Sequence, residues 1–185
     1  MQKIYPPIVI ADYSGRPVGP IEFKAAHPQD KSEKGVPHLV VNSFIFQDDS
    51  YKNLLVQKRG KVTGAGKWDS SVGGHIDWII KEKRGQTPEE AIKRELMEEL
   101  FYNEQIPEEL KLEKVWQGWK EIFPHNKEYI ALFRGVYAGP FHLNSEEVQA
   151  VQFLDLEFIL DDASSNPDYY TKDLIYLIKK YQATL

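Results

Sequence analysis

Arg94, Glu95, Glu98 and Glu99 lie close together on a stretch that reads as helix. At about 100° per residue, setting Glu95 at zero puts Glu98 near -60° and Glu99 near +40°, so three carboxylates share roughly a 100° arc. Ile92, Leu96 and Leu100 form a neighbouring stripe, from about +60° to +140°, that would face a core and fix the carboxylate face. Like charges this close repel, by about a few tenths of a kcal/mol per exposed pair. A divalent cation between them relieves the repulsion. Magnesium suits the place, because it takes hard oxygen ligands and keeps waters and substrate phosphates. Arg94 can pair with one carboxylate and orient it. A solvated acidic face, with Lys93 and Arg94 as counterions, would use the same residues. The helix alone leaves both readings open.

Upstream residues add to it. Gly73-Gly74 ends a strand-like segment, where glycines let a backbone approach a phosphate and present its N–H groups. Lys58 and Arg59 end another such segment and could meet phosphate oxygens. Trp68, Trp116, Trp119 and Phe123 could stack on a base, cover a prenyl chain or belong to the core.

The elements that must position these residues can be read in turn. Ile8–Ile10 and Val18–Phe23 read as an N-terminal hairpin around the turn signal Ser14-Gly15-Arg16-Pro17, and His27–Pro37 as a polar loop. His38–Phe46 is a strong strand, followed by Asn53–Lys58. Gly60–Lys67 reads as a flexible loop, and Trp68–Ile76 leads into the charged stretch Lys81–Arg84. Thr87 is the N-cap of the acidic helix, with Pro88 at its first position and Glu90 completing a capping box; the helix runs to about Leu100. Val115–Ile122, Glu128–Tyr137 and Gln149–Leu154 are further strands. Leu156–Leu160 starts a short helix, and Lys172–Gln182 is a helix with one buried face.

The 185 residues suit one domain, here 1–185, with a hairpin extension over about 1–35 and a C-terminal helix over about 172–182. Hydrophobic residues make up 42% and charged residues 28%, as in an ordinary globular chain. The net charge of -5 argues against a nucleic acid polymer as partner. The absence of cysteine excludes disulfides, thiolate zinc sites and a cysteine nucleophile. No stretch has the length of a membrane span and none looks like a signal peptide, so a cytoplasmic location is the expectation.

Arg94-Glu95-Leu96-Met97-Glu98-Glu99, approached by Gly85-Gln86-Thr87-Pro88-Glu89-Glu90-Ala91, resembles the Nudix box. Trp68–Ile76 looks like the strand and loop before the box, and Leu54–Arg59 like the family's strand ending in a basic pair. The similarity runs from about residue 36 to 160. It implies an α/β (α+β) fold, the Nudix-type α/β/α sandwich with a mixed sheet. It implies metal ligands at Glu95, Glu98 and Glu99, with Arg94 orienting them, and Mg2+ as cofactor with Mn2+ as a substitute. The implied reaction is attack of water on a small-molecule diphosphate, with Lys58, Arg59, Trp68, Gly73 and Gly74 as substrate-binding candidates. A late carboxylate often serves as base in the family; the candidates are Glu128, which is preferred, and Glu146 or Glu147. Three features depart from the pattern. Gln86 stands in place of the box's first glutamate, Phe101 in place of the glycine after the helix, and about six extra residues, Asp77–Glu82 or nearby, precede Gly85.

The chain also resembles the isopentenyl-diphosphate isomerase branch. That likeness implies histidines near His27, His38 and His75 and a glutamate near Glu128. The branch's catalytic cysteine falls at Gly73 and a second glutamate ligand at Asn126. Three functions therefore stand side by side: a diphosphate hydrolase, a Nudix-fold ligand-binding module with weak or no turnover, and an isomerase, which the missing cysteine disfavours. A homodimer through the N-terminal hairpin is compatible with the sequence, which does not decide it.

Overall fold

The computed structural model describes residues 5–28, 35–60, 64–120 and 126–185. In chain order its elements are β1 (Ile8–Ala11), β2 (Pro17–Ile21), α1 (Phe23–Ala26), β3 (His38–Phe46), β4 (Asn53–Arg59), β5 (Trp68–Asp69), β6 (Val72–His75), β7 (Trp78–Ile79), β8 (Arg84–Gly85), α2 (Pro88–Glu99), β9 (Glu113–Trp119), β10 (Glu128–Val136), β11 (Val148–Asp155), α3 (Leu156–Ser165) and α4 (Lys172–Gln182).

The sheet is mixed, as expected. β10 runs parallel to β3 from Glu128 against His38 to Val136 against Phe46, while the other strand pairs are antiparallel. Successive side chains of a strand point to opposite faces, and β3 uses both. Val41 and Ile45 pack toward α2 with Leu55, Ile92, Leu96 and Phe133. Phe44 and Phe46 pack toward α4 with Leu54, Leu132, Ile178 and Tyr181. Two apolar layers, one on each side of the sheet, make the α/β/α sandwich.

β3 and β4 meet at a single strand pair, Phe46 with Leu54. Beyond it they part. β3 takes β6 as its partner and β4 takes β5. The fork between the parted strands is where the cleft described below opens.

α2 begins where its capping chemistry dictates. Thr87 accepts from the Glu90 amide at 3.1 Å, and the Thr87 amide donates to the Glu90 carboxylate at 2.8 Å. It ends without a glycine. Leu100 keeps right-handed helical geometry, and Phe101, 2% exposed, turns inward against Tyr137 and Phe141. The phenyl ring thus replaces a flexible exit turn with an aromatic anchor.

Several boundaries differ from the expected ones. Phe23 starts the short α1 instead of ending β2, and β1 and β2 are joined to the main sheet through Ile10 and His38. Trp68–Ile76 is two strands, broken where the buried Ser71 hydroxyl donates to the Leu55 carbonyl and accepts from the Ile45 amide. The charged insertion folds into the β7–β8 hairpin, clamped to α2 by Arg84 on Glu90. α3 runs twice the expected length, with Asp155 as its N-cap. β9 stops at Trp119, and the expected strand residues Glu121 and Ile122 lie outside the described residues, as does Phe123. Among the described residues, no helix is long and apolar enough to cross a membrane.

Candidate active site

A cleft of about 640 Å³ lies in the fork of the sheet. Asn42, Gln57 and Arg59 line it from β3 and β4, Gly73 and Gly74 from β6, and Arg94, Glu95, Glu98 and Glu99 from α2. The expected phosphate-approach and carboxylate residues therefore share one wall. Lys58 and Trp68 do not line this cleft. Lys58 alternates with Arg59 along β4, so its ammonium turns to the other face, 5.9 Å over the Trp68 ring, which packs with the α4 core. Trp116 and Trp119 are likewise turned elsewhere: Trp116 packs on Tyr176, and the Trp119 ring nitrogen donates to the Tyr13 carbonyl.

Arg94 organises the acidic wall. Its guanidinium donates to the His75 carbonyl at 2.7 Å, to Glu95 at 2.8 Å and to Glu98 at 3.0 Å, and it pairs with Asp77 at 3.2 Å. One side chain thus ties the helix to the end of β6 and gathers three carboxylates. Asp77, a cleft residue from the insertion, is one that sequence reading missed. It brings a carboxylate to Arg94, where the neutral Gln86 also accepts a bond from the same guanidinium.

The three helix glutamates differ. Glu95 and Glu99 are 7% and 8% exposed, while the Glu98 side chain is 48% exposed. Burial pushes the Glu95 carboxyl up to about 7, with Arg94 opposing and Glu98 adding to the rise. Burial also holds Glu99 well above the usual carboxylate range, reinforced by Glu95 and opposed by a bond from Gln57. Two buried carboxylates that resist ionising together are a fit for an added cation, which would supply the missing positive charge. Gly74 fits the same picture: a Cβ there would lie 1.7 Å from Glu95 Oε1, so only glycine leaves room for that carboxylate.

The set of acid and histidine groups whose ligand atoms come within 4.8 Å of one another, among the described residues, is not the helix glutamates but His27, His38, His75 and Glu128. Arg94 draws Glu98 to the rim while Glu95 stays inside, so the crowding expected around the helix axis is not kept at the side-chain ends. The histidine cluster is ordered by its hydrogen bonds. A carbonyl can only accept, so the bonds from His38 Nδ1 to the Val36 carbonyl at 2.7 Å and from His27 Nδ1 to the Phe23 carbonyl at 3.0 Å put a proton on Nδ1 of each ring. The Nε2 lone pairs then face inward. That of His38 is buried with no hydrogen-bond partner, and that of His27 meets His75 Nε2 at 3.2 Å. Burial pushes His38 down to about 4 and His75 to about 3, which keeps both neutral. Three imidazoles and a carboxylate are a donor set for a borderline dication such as Zn2+.

Glu128, the preferred base candidate and also the glutamate that the isomerase likeness sets beside the histidines, belongs to this cluster. Its Oε1 accepts from Asn126 at 2.6 Å and its Oε2 is paired with Lys120. Burial opposes its ionisation, but the Lys120 ammonium outweighs this and holds its carboxyl below the ordinary value. Glu147 lines the cleft nearer Glu99, while Glu146 is exposed. At Gly73, a Cβ would lie 2.4 Å from Asn42 Oδ1, so the Asn42 carboxamide stands where a side chain would begin.

Comparison with known proteins agrees with this architecture. The chain is 29% identical over 170 residues to isopentenyl-diphosphate Delta-isomerase 2 of Photorhabdus laumondii, covering 89% of this chain and 85% of that one. It is 24% identical over 174 residues to isopentenyl-diphosphate Delta-isomerase of Serratia proteamaculans, covering 93% and 89%. The crystal structure of DR0079 from Deinococcus radiodurans superposes with a TM-score of 0.70 at 21% identity, over 94% of this chain and 98% of that one. The family model described as the NUDIX domain matches residues 36–174, and the chain belongs to that family.

Proposed function

We propose that the protein is a magnesium-dependent hydrolase that cuts the diphosphate linkage of a small nucleoside-diphosphate-type compound. The observation that carries this reading is the pair of buried carboxylates, Glu95 and Glu99, set beside Gly74 on one wall of the cleft. A bound Mg2+, or Mn2+ in its place, would activate water and neutralise the leaving phosphate. Glu95, Glu98 and Glu99 are the residues that would hold it. Arg94 keeps two of them in place. Gly73 and Gly74 bring β6 into the cleft, where Asn42 and Glu95 take the space a side chain would fill, and Arg59, paired with Asp69 across the cleft, lends a guanidinium to the site for phosphate oxygens. Glu147, which lines the cleft beside Glu99, is the candidate to take the proton of the attacking water, and Glu128 is held by Asn126 and Lys120.

The test is phosphate release from a panel of nucleoside, sugar and prenyl diphosphates with Mg2+. Turnover is expected on a nucleoside diphosphate compound and is expected to be abolished by Glu98→Gln. Tight binding without turnover on any member would replace the hydrolase by a binding module. A second reading, isomerisation of a prenyl diphosphate, is favoured by the His27, His38, His75 and Glu128 cluster and by the names of the two relatives. It needs a proton-transferring group at position 73, where glycine has none and Asn42 fills the space. Allylic product without phosphate release would establish it.

A further inference from the structure

The histidine cluster contains a feature that its ligand set does not require. Lys120 follows β9 directly, opposite Glu128 across the hairpin, and its amide donates to the Glu128 carbonyl at 2.9 Å. Its side chain is 1% exposed, and its ammonium pairs with Glu128 Oε2 and with Asp173 Oδ1 of α4, the latter at 3.1 Å. Glu128 is itself only 12% exposed and lies 4.0 Å from His38 Nε2. A buried carboxylate needs a positive partner, and a lysine fully withdrawn from water needs a negative one. Each is the other's partner.

We propose that Lys120 is an internal counter-cation of the histidine cluster. It supplies the charge that a dication would otherwise bring to Glu128, so the fold around the cluster does not depend on a dication. The same ammonium weakens dication binding there, because ion and ammonium must share one carboxylate and repel each other at short range. Lys120 is a positioning residue in this scheme and touches no substrate. The inference goes beyond the hydrolase reading and is independent of what the α2 carboxylates do.

The test compares Lys120→Met with the unaltered protein, both stripped by chelator and then titrated with Zn2+, reading thermal unfolding and equilibrium dialysis. The stripped variant is expected to melt lower than the unaltered protein, to be rescued by Zn2+ and to bind Zn2+ at least about tenfold more tightly. Adding His38→Asn to the variant is expected to remove both the rescue and the tighter binding. Equal melting of the stripped proteins, or Zn2+ affinity unchanged or weakened by Lys120→Met, would overturn the proposal, as would tight binding that survives His38→Asn. If Lys120→Met does not fold with or without Zn2+, the triple variant Lys120→Met/Glu128→Gln/Asp173→Asn, which removes both anions the lysine meets, decides. Its folding supports charge compensation, and its failure shows that the lysine serves packing alone.

Discussion

Gly74→Ala adds one methyl group at the most constrained point of the cleft. Gly74 has ordinary backbone angles, so the substitution acts through space alone. Its Cβ would lie 1.7 Å from Glu95 Oε1 and 2.1 Å from Glu95 Cδ. An ordinary contact begins at about 3.4 Å, so the carboxylate oxygen must retreat by about 1.7 Å. It cannot do so cheaply, because Arg94 grips it at 2.8 Å and is itself fixed to the His75 carbonyl. A misplacement of about 1 Å in a catalytic group lowers turnover by about a hundredfold, and overpacking costs about 1–3 kcal/mol of stability. Gly74→Ala should therefore lose about two orders of magnitude in kcat for Mg2+-dependent phosphate release, and its Tm should fall by about 2–10 °C. Gly73→Ala is the comparison, since its Cβ meets the end of the Asn42 side chain, held by a neutral bond from Ser70 where Glu95 is gripped by a charged guanidinium, and it should fold with a smaller loss of stability. Shortening the acid in Gly74→Ala/Glu95→Asp should restore part of the lost rate. Gly74→Ala with kcat within a few-fold of the unaltered enzyme would refute the placement of Glu95 in the reaction.

Two further outcomes follow from the same geometry. Burial lowers the pKa of His38 from 6.5 to about 4, so the unfolded chain takes a proton that the folded chain refuses. The stability this represents is present above pH 6.5 and is lost as pH falls through about 4, amounting to about 3 kcal/mol. In chelator-treated protein, the difference in unfolding free energy between the unaltered chain and His38→Asn should shrink by that amount between pH 7 and pH 4; a pH-independent difference would contradict it. Thr87→Ala removes the hydroxyl that caps α2 and should cost about 1 kcal/mol, or about 2–4 °C in Tm, and an unchanged melting curve would show that the cap contributes nothing.

The sequence was most legible where a local rule and a tertiary role coincide. β3 shows β-branched and aromatic residues because both of its faces are buried, and α2 announces its start through Thr87, Pro88 and Glu90. The wall of Gly73, Gly74, Arg94 and the glutamates was readable from spacing and resemblance, because one strand end and one helix supply all of it. Which neighbour on β4 faces the cleft was not readable, since Lys58 and Arg59 are both basic and only the register of the sheet separates them. The partners of Glu128 were hidden as well. Lys120 and Asp173 come from distant segments, and nothing local marks a lysine that will be buried. Asp77 was read as part of a bare insertion because a two-strand hairpin this short has too few residues for a period.

The parallel ladder of β3 and β10 has a consequence for how the molecule assembles. Its first rung sets residue 38 against residue 128, so nearly half the chain lies between them and must be brought round before the two can touch. Contacts of such wide sequence separation form late, because the intervening segment must first lose its freedom. His38 and Glu128 are that rung, and both belong to the histidine cluster. A dication that binds all four groups therefore reports on a finished sheet, and its uptake during refolding would time the closing of the ladder.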